Sequence, residues 1–137
     1  MIIDATDLLL GRLSTIAAKK SLMGEEIIIV NCNEAVISGN KNNIFSKYKQ
    51  RRDRGSPSTG PYFPRYSEQI VKRTIRGMLP YKQPKGRDAL ARVKCFRKTP
   101  EEYEGKAKTL EEAHAKKLTT LNYVVLKELS KFLGAKI

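Results

Sequence analysis

The residues that could do chemistry in this sequence lie mainly between Lys41 and Lys98. This segment holds seventeen of the chain's 27 lysine and arginine residues and only three acids, Asp53, Glu68 and Asp88. The whole chain has a formal net charge of +13, so its positive excess is concentrated in the middle. Guanidinium and ammonium groups bind phosphate oxygens, and their concentration on one segment indicates a polyanionic partner. We therefore predict a nucleic-acid-binding surface within residues 41–98.

Aromatic residues and turn-rich loops are interleaved with these basic residues. Residues 55–66 include three prolines, and a second basic loop follows at residues 81–87. Aromatic rings can stack on exposed bases, and loops rich in glycine and proline can follow an irregular backbone. Because the sequence has no helix–turn–helix, zinc-finger or basic-zipper pattern, structured RNA is favoured over DNA.

The predicted RNA-binding residues are of two kinds. Those expected to neutralise phosphates are Lys47, Lys49, Arg51, Arg52, Arg54, Arg65, Lys72, Arg73, Arg76, Lys82, Lys85, Arg87, Arg97 and Lys98. Those expected to stack on bases or to fit the shape of the RNA are Tyr62, Phe63 and Tyr81. A solvated charged face is the usual role of a charge run. The concentration of charge and the interleaved aromatic residues argue against that role here.

Catalytic and cofactor sites are not apparent in the sequence. The single histidine, His114, lies among charged residues of a predicted polar helix, which indicates a solvated side chain rather than a general base. One histidine and two distant cysteines do not make the usual zinc sets. Gly55–Gly60 has the spacing of a phosphate-binding loop, but Pro61-Tyr62 follows it where the phosphate-binding lysine would stand. We predict no catalytic residue, no metal, no cofactor and no small-molecule substrate.

The cysteines and the apolar runs indicate where in the cell the protein is expected. Cys32 and Cys95 are predicted to be reduced, buried strand residues without a nearby partner. No apolar run approaches the roughly 18 residues that span a bilayer, and the N-terminus lacks the pattern of a secretory signal. We expect a cytoplasmic protein with no membrane partner. From the residues alone, an enzyme acting on RNA and an adaptor for an acidic protein stay open as alternatives.

The first forty residues predict a β-α-β unit. A strand at Met1–Asp4 is followed by a helix over 8–23, with Thr6 or Asp7 as its cap and Gly24 as its stop. The run Glu26–Asn31 is β-branched throughout its centre, which is typical of a strand covered on both faces. A third short strand is expected at residues 35–38.

The basic segment predicts two helices and a strand. Asn40 is expected to cap a helix that runs to about Asp53, with Ile44, Phe45 and Tyr48 as its apolar stripe. Arg51 and Arg52 continue this stripe, so we expect the helix to leave the globular body near residue 50 and to enter the partner. Ser67 is expected to cap a helix over 68–79, with a basic outer face. A helical turn at 88–91 and a strand over 92–97 complete the segment.

The C-terminal part, residues 99–137, lacks the strong positive charge of the basic segment. An acidic linker is expected over 100–105, and Thr109 with Glu112 matches a capping box for a helix to about residue 117. Residues 118–125 are ambiguous, and a closing helix is expected from Leu126 to Gly134. The chain is most economically one domain over 1–137. Predicted core residues are Leu13, Ile16, Ile28, Val30, Ile75 and Cys95.

Several of these segments resemble a known family, the universal L13 family of large-subunit ribosomal proteins in its archaeal type. The residues that carry the resemblance are Asp4-Ala5, Leu10–Leu13, Ala17–Lys19, Gly24, Val30-Asn31, Ile37–Gly39, Gly60-Pro61, Arg76–Pro80, Lys82, Gly86, Ala89-Leu90 and Val93–Phe96. Tyr81 and Arg97–Pro100 depart from the family pattern. The match covers most of residues 1–98, which we take as a family core that includes the basic surface 41–98, with residues 99–137 as a C-terminal helical extension.

The resemblance implies both a fold and a role. The implied fold is α/β, with three α/β/α layers, a small mixed and mostly parallel sheet, and basic loop and helix extensions. The implied role is structural and non-catalytic: binding large-subunit rRNA during assembly and remaining in the mature subunit. The implied partners are large-subunit rRNA and neighbouring large-subunit ribosomal proteins.

Overall fold

A computed structural model of the protein describes residues 1–56, 58, 60–117 and 122–135. These residues contain five strands, namely β1 (Ile2–Asp4), β2 (Ile27–Val30), β3 (Val36–Ser38), β4 (Val93–Cys95) and β5 (Tyr123–Val125). They contain five α-helices, namely α1 (Leu10–Leu22), α2 (Lys41–Asp53), α3 (Ser67–Gly77), α4 (Pro84–Ala91) and α5 (Leu126–Phe132). In these residues no helix is long and apolar enough to cross a membrane.

The strands form a parallel sheet and a separate antiparallel pair. The sheet has the order β1-β2-β4, with Ile29 opposite Ile3 on one side and Cys95 on the other. The pair joins β3 to β5. The predicted β-α-β unit and the α/β fold with a small, mostly parallel sheet are therefore confirmed.

The start of α1 differs from the prediction. Leu9 occupies its N-cap position without a side-chain hydrogen bond. The Thr6 hydroxyl instead donates to Asp4 Oδ1 at 2.7 Å, and Asn31 Nδ2 donates to the same oxygen at 3.1 Å. Burial raises the pKa of Asp4, but hydrogen bonds from Thr6 and Asn31 outweigh it and leave that pKa below its ordinary value. Asp4 thus ties the end of β1 to the end of β2, and the predicted capping of α1 by Thr6 or Asp7 is wrong.

The core forms between the parallel sheet and the helices. Ile27 and Ile29 of β2, Leu13 of α1 and Ile75 of α3 are fully buried, and Val30 is buried with them. Of the other predicted core residues, Ile16, Ile28 and Cys95 are only half-buried. The burial prediction is thus correct for three positions and too strong for the other three.

The closing helix is confirmed and belongs to this core. Leu126, Leu129 and Leu133 are fully buried, and Gly134 ends the helix with φ +99°. A glycine is suited to that left-handed conformation. The Phe132 ring stacks on Phe45 of α2 at 4.5 Å between centroids, so α5 also anchors α2.

The predicted helix over 109–117 is wrong. Short 3₁₀ turns occur there at Glu111–Ala113 and Ala115–Lys117. The backbone of this region bonds to the N-terminal segment instead, with Asp4 N–H donating to Lys108 O at 3.0 Å and Leu9 N–H to Ala113 O at 2.7 Å. These long-range bonds outweigh the local capping pattern. Residues 118–121 of the ambiguous segment lie outside the described residues.

Two other local predictions need correction. The Ser67 hydroxyl donates to Asn33 Oδ1 at 2.6 Å, while Tyr66 occupies the N-cap position of α3. Helix α4 begins at Pro84, so about half of the predicted second basic loop is helical. Proline suits the first turn of a helix because its missing N–H has no intrahelical partner there.

The turn between α3 and α4 generates a stability prediction. A Cβ atom at buried Gly86 would lie 1.9 Å from the carbonyl oxygen of Pro80, which is backbone and cannot rotate away. We expect Gly86→Ala to destabilise the protein by about 3 kcal/mol, because the steric conflict exceeds the roughly 1 kcal/mol gain in helix propensity. Urea unfolding would measure the difference.

Gly11→Ala in α1 is the matched control for this prediction. A Cβ at Gly11 meets nothing within 4 Å, so alanine there should leave stability equal or slightly higher. Equal stability of Gly86→Ala and the wild type would contradict the close approach of Gly86 in α4 to the Pro80 carbonyl.

Candidate nucleic-acid interface

A cavity of about 720 Å³ lies where α1, α2 and α3 meet the segment 61–63. We call it the three-helix cavity. Its basic lining residues are Arg12, Lys47, Arg51, Arg54 and Arg73. Its aromatic lining residues are Tyr48, Tyr62 and Phe63. The cavity therefore combines groups that bind phosphates with rings that can stack on bases.

The C-terminal turn of α2 provides Arg51. Its guanidinium carbon lies 5.2 Å from the centroid of the Tyr48 ring and 5.7 Å from that of Phe63. The two rings meet edge-on, with centroids 5.7 Å apart. A planar guanidinium can pack on aromatic faces and remain charged, and this explains an arginine on an otherwise apolar stripe.

The prediction that α2 leaves the globular body near residue 50 is therefore wrong. Arg51 packs on Tyr48 and Phe63, and the Arg52 Nη1 donates to the Leu133 carbonyl at 3.4 Å. Arg52 Nε also pairs with Asp53 at 3.1 Å. The end of α2 is held against the segment 61–63 on one side and the end of α5 on the other.

Helix α3 places a second arginine on the same aromatic ring. The Arg73 guanidinium lies 5.9 Å from the Phe63 centroid, and like Arg51 it is half-buried. Salt bridges within the described residues join Lys41 to Glu128, Arg52 to Asp53 and Arg97 to Glu68. None involves a basic residue of the three-helix cavity, so its positive charges lack a carboxylate partner there.

The predicted basic outer face of α3 is only partly available. Lys72 Nζ donates to the Val93 carbonyl at 2.9 Å, and the Arg76 guanidinium lies 4.6 Å from the Tyr81 centroid. Both residues are half-buried. With Arg73 and Lys94 they line a second, shallower depression of about 520 Å³. Tyr81 thus packs on an arginine of its own chain.

The other predicted residues are distributed around the body. Arg97 packs on Tyr66 at 4.8 Å and pairs with Glu68 at 3.4 Å. A third depression, of about 530 Å³, contains Arg97 and Lys98. Arg65 approaches Gly134, whose added Cβ would lie 3.3 Å from Arg65 Nη1. The remaining predicted cations are exposed. Lys49 lies on α2, Lys82 lies between α3 and α4, and Lys85 and Arg87 lie on α4.

The three-helix cavity is thus lined by six of the predicted residues. It is also lined by one arginine and two glycines that the sequence did not indicate. The six are Lys47, Arg51, Arg54, Tyr62, Phe63 and Arg73. Arg12 was missed because residues 1–40 have an acidic balance, although it stands in the Leu10–Leu13 motif of the family resemblance. Gly11 and Gly77 also line the cavity, and a Cβ at either would meet nothing within 4 Å.

The two cysteines lie closer together than the sequence suggests. Cys32 is fully buried in a 3₁₀ turn rather than a strand, and its N–H donates to the Phe96 carbonyl at 3.1 Å, next to Cys95. The neighbouring Cys95 thiol, followed by burial, raises the pKa of Cys32 well above its ordinary value. Both cysteines are free thiols. The expectation that they have no nearby partner is wrong.

His114 does not line the three-helix cavity. It follows one 3₁₀ turn and precedes another, and its Nδ1 accepts from the Lys116 N–H at 3.1 Å. The predicted polar helix around it does not form, and the side chain is half-buried rather than fully solvated. Within the described part of the chain, no three histidine, cysteine or acidic residues come together as a metal site would require.

Comparisons with known proteins give one consistent family. The family model described as Ribosomal protein L13 matches residues 1–102. The chain is 49% identical over 135 residues to the protein named large ribosomal subunit protein uL13 of Archaeoglobus fulgidus, covering 97% of this chain and 86% of that one. The protein of the same name from Methanocaldococcus jannaschii is 47% identical, with 98% of each chain covered. That from Methanosarcina barkeri is 45% identical, again with 98% of each covered.

The burial of Tyr48 beside the cavity generates a pH prediction. Burial raises the pKa of Tyr48, and the nearby Arg51 charge only partly offsets this. The folded state therefore favours the protonated phenol, so this stabilisation is present below the ordinary pKa of 10.0 and is lost as the pH rises above it. We expect the free energy of unfolding to fall more steeply above pH 10 in the wild type than in Tyr48→Phe.

Tyr123→Phe is the matched control, because that ring is 50% exposed. Chemical unfolding at a series of alkaline pH values would compare the three proteins. A Tyr48→Phe variant with the alkaline loss of the wild type would show that Tyr48 is not held protonated by the fold.

Proposed function

The chain belongs to the ribosomal protein L13 family, and we infer that it is a non-catalytic component of the large ribosomal subunit that binds large-subunit rRNA. This role is carried out in the ribosome, in the cytoplasm. The family match covers residues 1–102, and the archaeal relatives match over nearly the whole chain. The division into a family core over 1–98 and a helical extension over 99–137 is part of this proposal.

The main observation in support of an RNA-binding surface is the unbalanced positive charge of the three-helix cavity. Five basic residues line it, and among the described residues none of the five has a carboxylate within salt-bridge distance. Protein surfaces usually intersperse both signs of charge. A cluster of one sign around an aromatic-lined cavity is suited to a polyanion with exposed rings, which is the chemistry of RNA.

We assign the predicted contacts to two groups according to their present partners. Arg12, Lys47, Arg51, Arg54 and Arg73 at the cavity are the main phosphate ligands, together with the exposed cations Lys49, Arg65, Lys82, Lys85, Arg87 and Lys98. Arg52, Lys72 and Arg97 already bind oxygen atoms of their own chain, so their contribution is smaller. Arg76 packs on Tyr81 as Arg51 packs on Tyr48, so it keeps its charge and belongs with the first group. Tyr62 is the main stacking residue, because 68% of its surface is exposed.

The proposal includes neighbouring large-subunit proteins as partners. Two aromatic side chains near the C-terminus, Tyr123 and Phe132, are 50% and 40% exposed. Aromatic residues are enriched in protein–protein contacts. These two positions support a protein contact at the β5–α5 end of the molecule.

The direct test is a binding series over salt concentration with two RNAs, large-subunit rRNA and an unrelated RNA duplex. If about six phosphates are neutralised, log K should fall with log salt with a slope on the order of −4 or steeper. Steep dependence with preference for the rRNA supports the proposed role. Equal affinity for both RNAs indicates a generic RNA binder. Weak binding without salt dependence favours the alternative of an adaptor for an acidic protein.

The double variant Arg51→Ala/Arg73→Ala tests the cavity itself. Losing two phosphate contacts should weaken rRNA binding and make the salt slope less negative by about 1.5. The two arginines also pack on aromatic rings, so a loss of stability of about 1–2 kcal/mol is expected. Salt-dependent binding and thermal unfolding would measure both effects.

A matched control removes the same charge elsewhere. Lys19→Ala/Lys127→Ala changes two exposed lysines on α1 and α5 that do not line the cavity. This variant should retain the wild-type slope within about 0.5. If both double variants change the slope equally, binding follows total charge and not the three-helix cavity.

A further inference from the structure

We propose that the three-helix cavity receives one nucleotide displaced from its stack in an RNA, such as a bulged or looped-out residue. This inference rests on the proposed RNA-binding function and adds the form in which the RNA is recognised. A continuous duplex would cover the cavity with its backbone, whereas a displaced nucleotide would enter it.

The size of the cavity supports a nucleotide rather than a helix. Its volume of about 720 Å³ falls within the range of about 300–1,000 Å³ typical of small-molecule sites. A-form duplex RNA offers proteins its phosphates and a wide, shallow groove, with the base faces hidden in the stack. A concave site of this size matches a single base with its sugar and phosphate.

The aromatic wall supplies a surface for the base. Tyr62 is 68% exposed, although it follows Pro61 in a segment that packs on the body through half-buried Phe63. Because the neighbouring Phe63 packs on the body of the protein, the Tyr62 ring loses little mobility when a base stacks on it. Stacking on an aromatic side chain strengthens binding by about tenfold or more for each base.

The cations around Phe63 supply a place for the phosphate. Arg51 and Arg73 lie 5.7 Å and 5.9 Å from the centroid of this one ring, on different helices. No carboxylate of the described residues pairs with either arginine. A phosphate that enters the cavity would therefore meet two uncompensated guanidinium groups, each of which can donate hydrogen bonds to its oxygens.

Two glycines line the cavity without placing a side chain in it. Gly11 lies in α1 and Gly77 ends α3, and a Cβ at either position would meet nothing within 4 Å. Glycine is unfavourable in a helix relative to alanine. Neither glycine is required by close packing or by a left-handed backbone conformation, so open space for a ligand accounts for both.

The test compares two RNA hairpins of equal length, one fully paired and one with a single bulged 2-aminopurine nucleotide. The full-length protein should bind the bulged hairpin about tenfold more tightly, and the 2-aminopurine fluorescence should change on binding. Gly11→Leu and Gly77→Leu fill the cavity without changing charge. Both variants should bind the two hairpins equally and show no fluorescence change.

Gly11→Ala and Gly77→Ala are the matched controls, because they provide the gain in helix propensity with only one methyl group. They should keep most of the preference. Tyr62→Ala provides a second variant, should either leucine variant fail to fold, and it should reduce the preference by about tenfold. If the leucine variants or Tyr62→Ala keep the wild-type preference, the cavity does not receive the nucleotide.

Two further outcomes separate this inference from the proposed function. Equal binding of both hairpins with a steep salt dependence would leave the RNA surface in place and overturn the nucleotide site. Absence of binding to either hairpin and to large-subunit rRNA would overturn both. A free nucleoside monophosphate that displaces the bulged hairpin at micromolar concentration would identify a mononucleotide site and overturn the assignment to RNA.

Discussion

The packing of α1 against α3 is the interaction on which the rest of the structure depends. Leu13 and Ala17 of α1 and Ile75 of α3 are fully buried, and both helices lie on the core that contains Ile29 of β2. Buried apolar area is the main favourable contribution to folding. Because the inner faces of the two helices are fixed in this way, their outer faces hold Arg12 and Arg73 at one cavity. No polar contact between those two residues is needed to keep them there.

The rings beneath the arginines allow a concentrated positive charge to be tolerated in the free protein. Arg51 and Arg73 both pack near Phe63, and Arg76 packs on Tyr81 in the same manner. Each contact stabilises a cation without neutralising it. A carboxylate at these positions would stabilise the free protein more, but it would compete with phosphate. The aromatic partners therefore fix the directions of the arginines and leave their charge available to an anion.

Sequence patterns predicted those features that depend on neighbours along the chain. The cap of α2 is an example, since Asn40 Oδ1 accepts the Asn42 N–H at 2.9 Å. The β-branched run at β2 and the glycine after α5 are others. The capping box at Thr109 failed because Asp4 and Leu9, about a hundred residues away in the chain, bond to that segment. Such competition depends on tertiary contacts that no local pattern contains.

The candidate site shows the same limit. On a helical wheel Arg51 lies on the apolar stripe of α2, which led to the prediction that the helix leaves the body. That reasoning counts arginine only as a charge and ignores its flat face, which packs on Tyr48. It also could not separate Lys72, whose ammonium is bound to the Val93 carbonyl, from Arg73 one residue later, which faces the cavity. Which cations converge depends on how three helices cross.

In the proposed function, salt rather than pH is expected to control binding at the three-helix cavity, because its basic residues are mostly arginines. The pKa of Asp4 is lowered, and those of Cys32 and Tyr48 are raised, so all three move away from neutrality. The single histidine, His114, does not line the three-helix cavity. Four of the five basic residues at the cavity are arginines, a residue type that is not deprotonated in proteins. If a surface of this composition binds a polyanion as proposed, its affinity is expected to follow the release of counterions. This behaviour is suited to a component that joins an RNA particle and stays there.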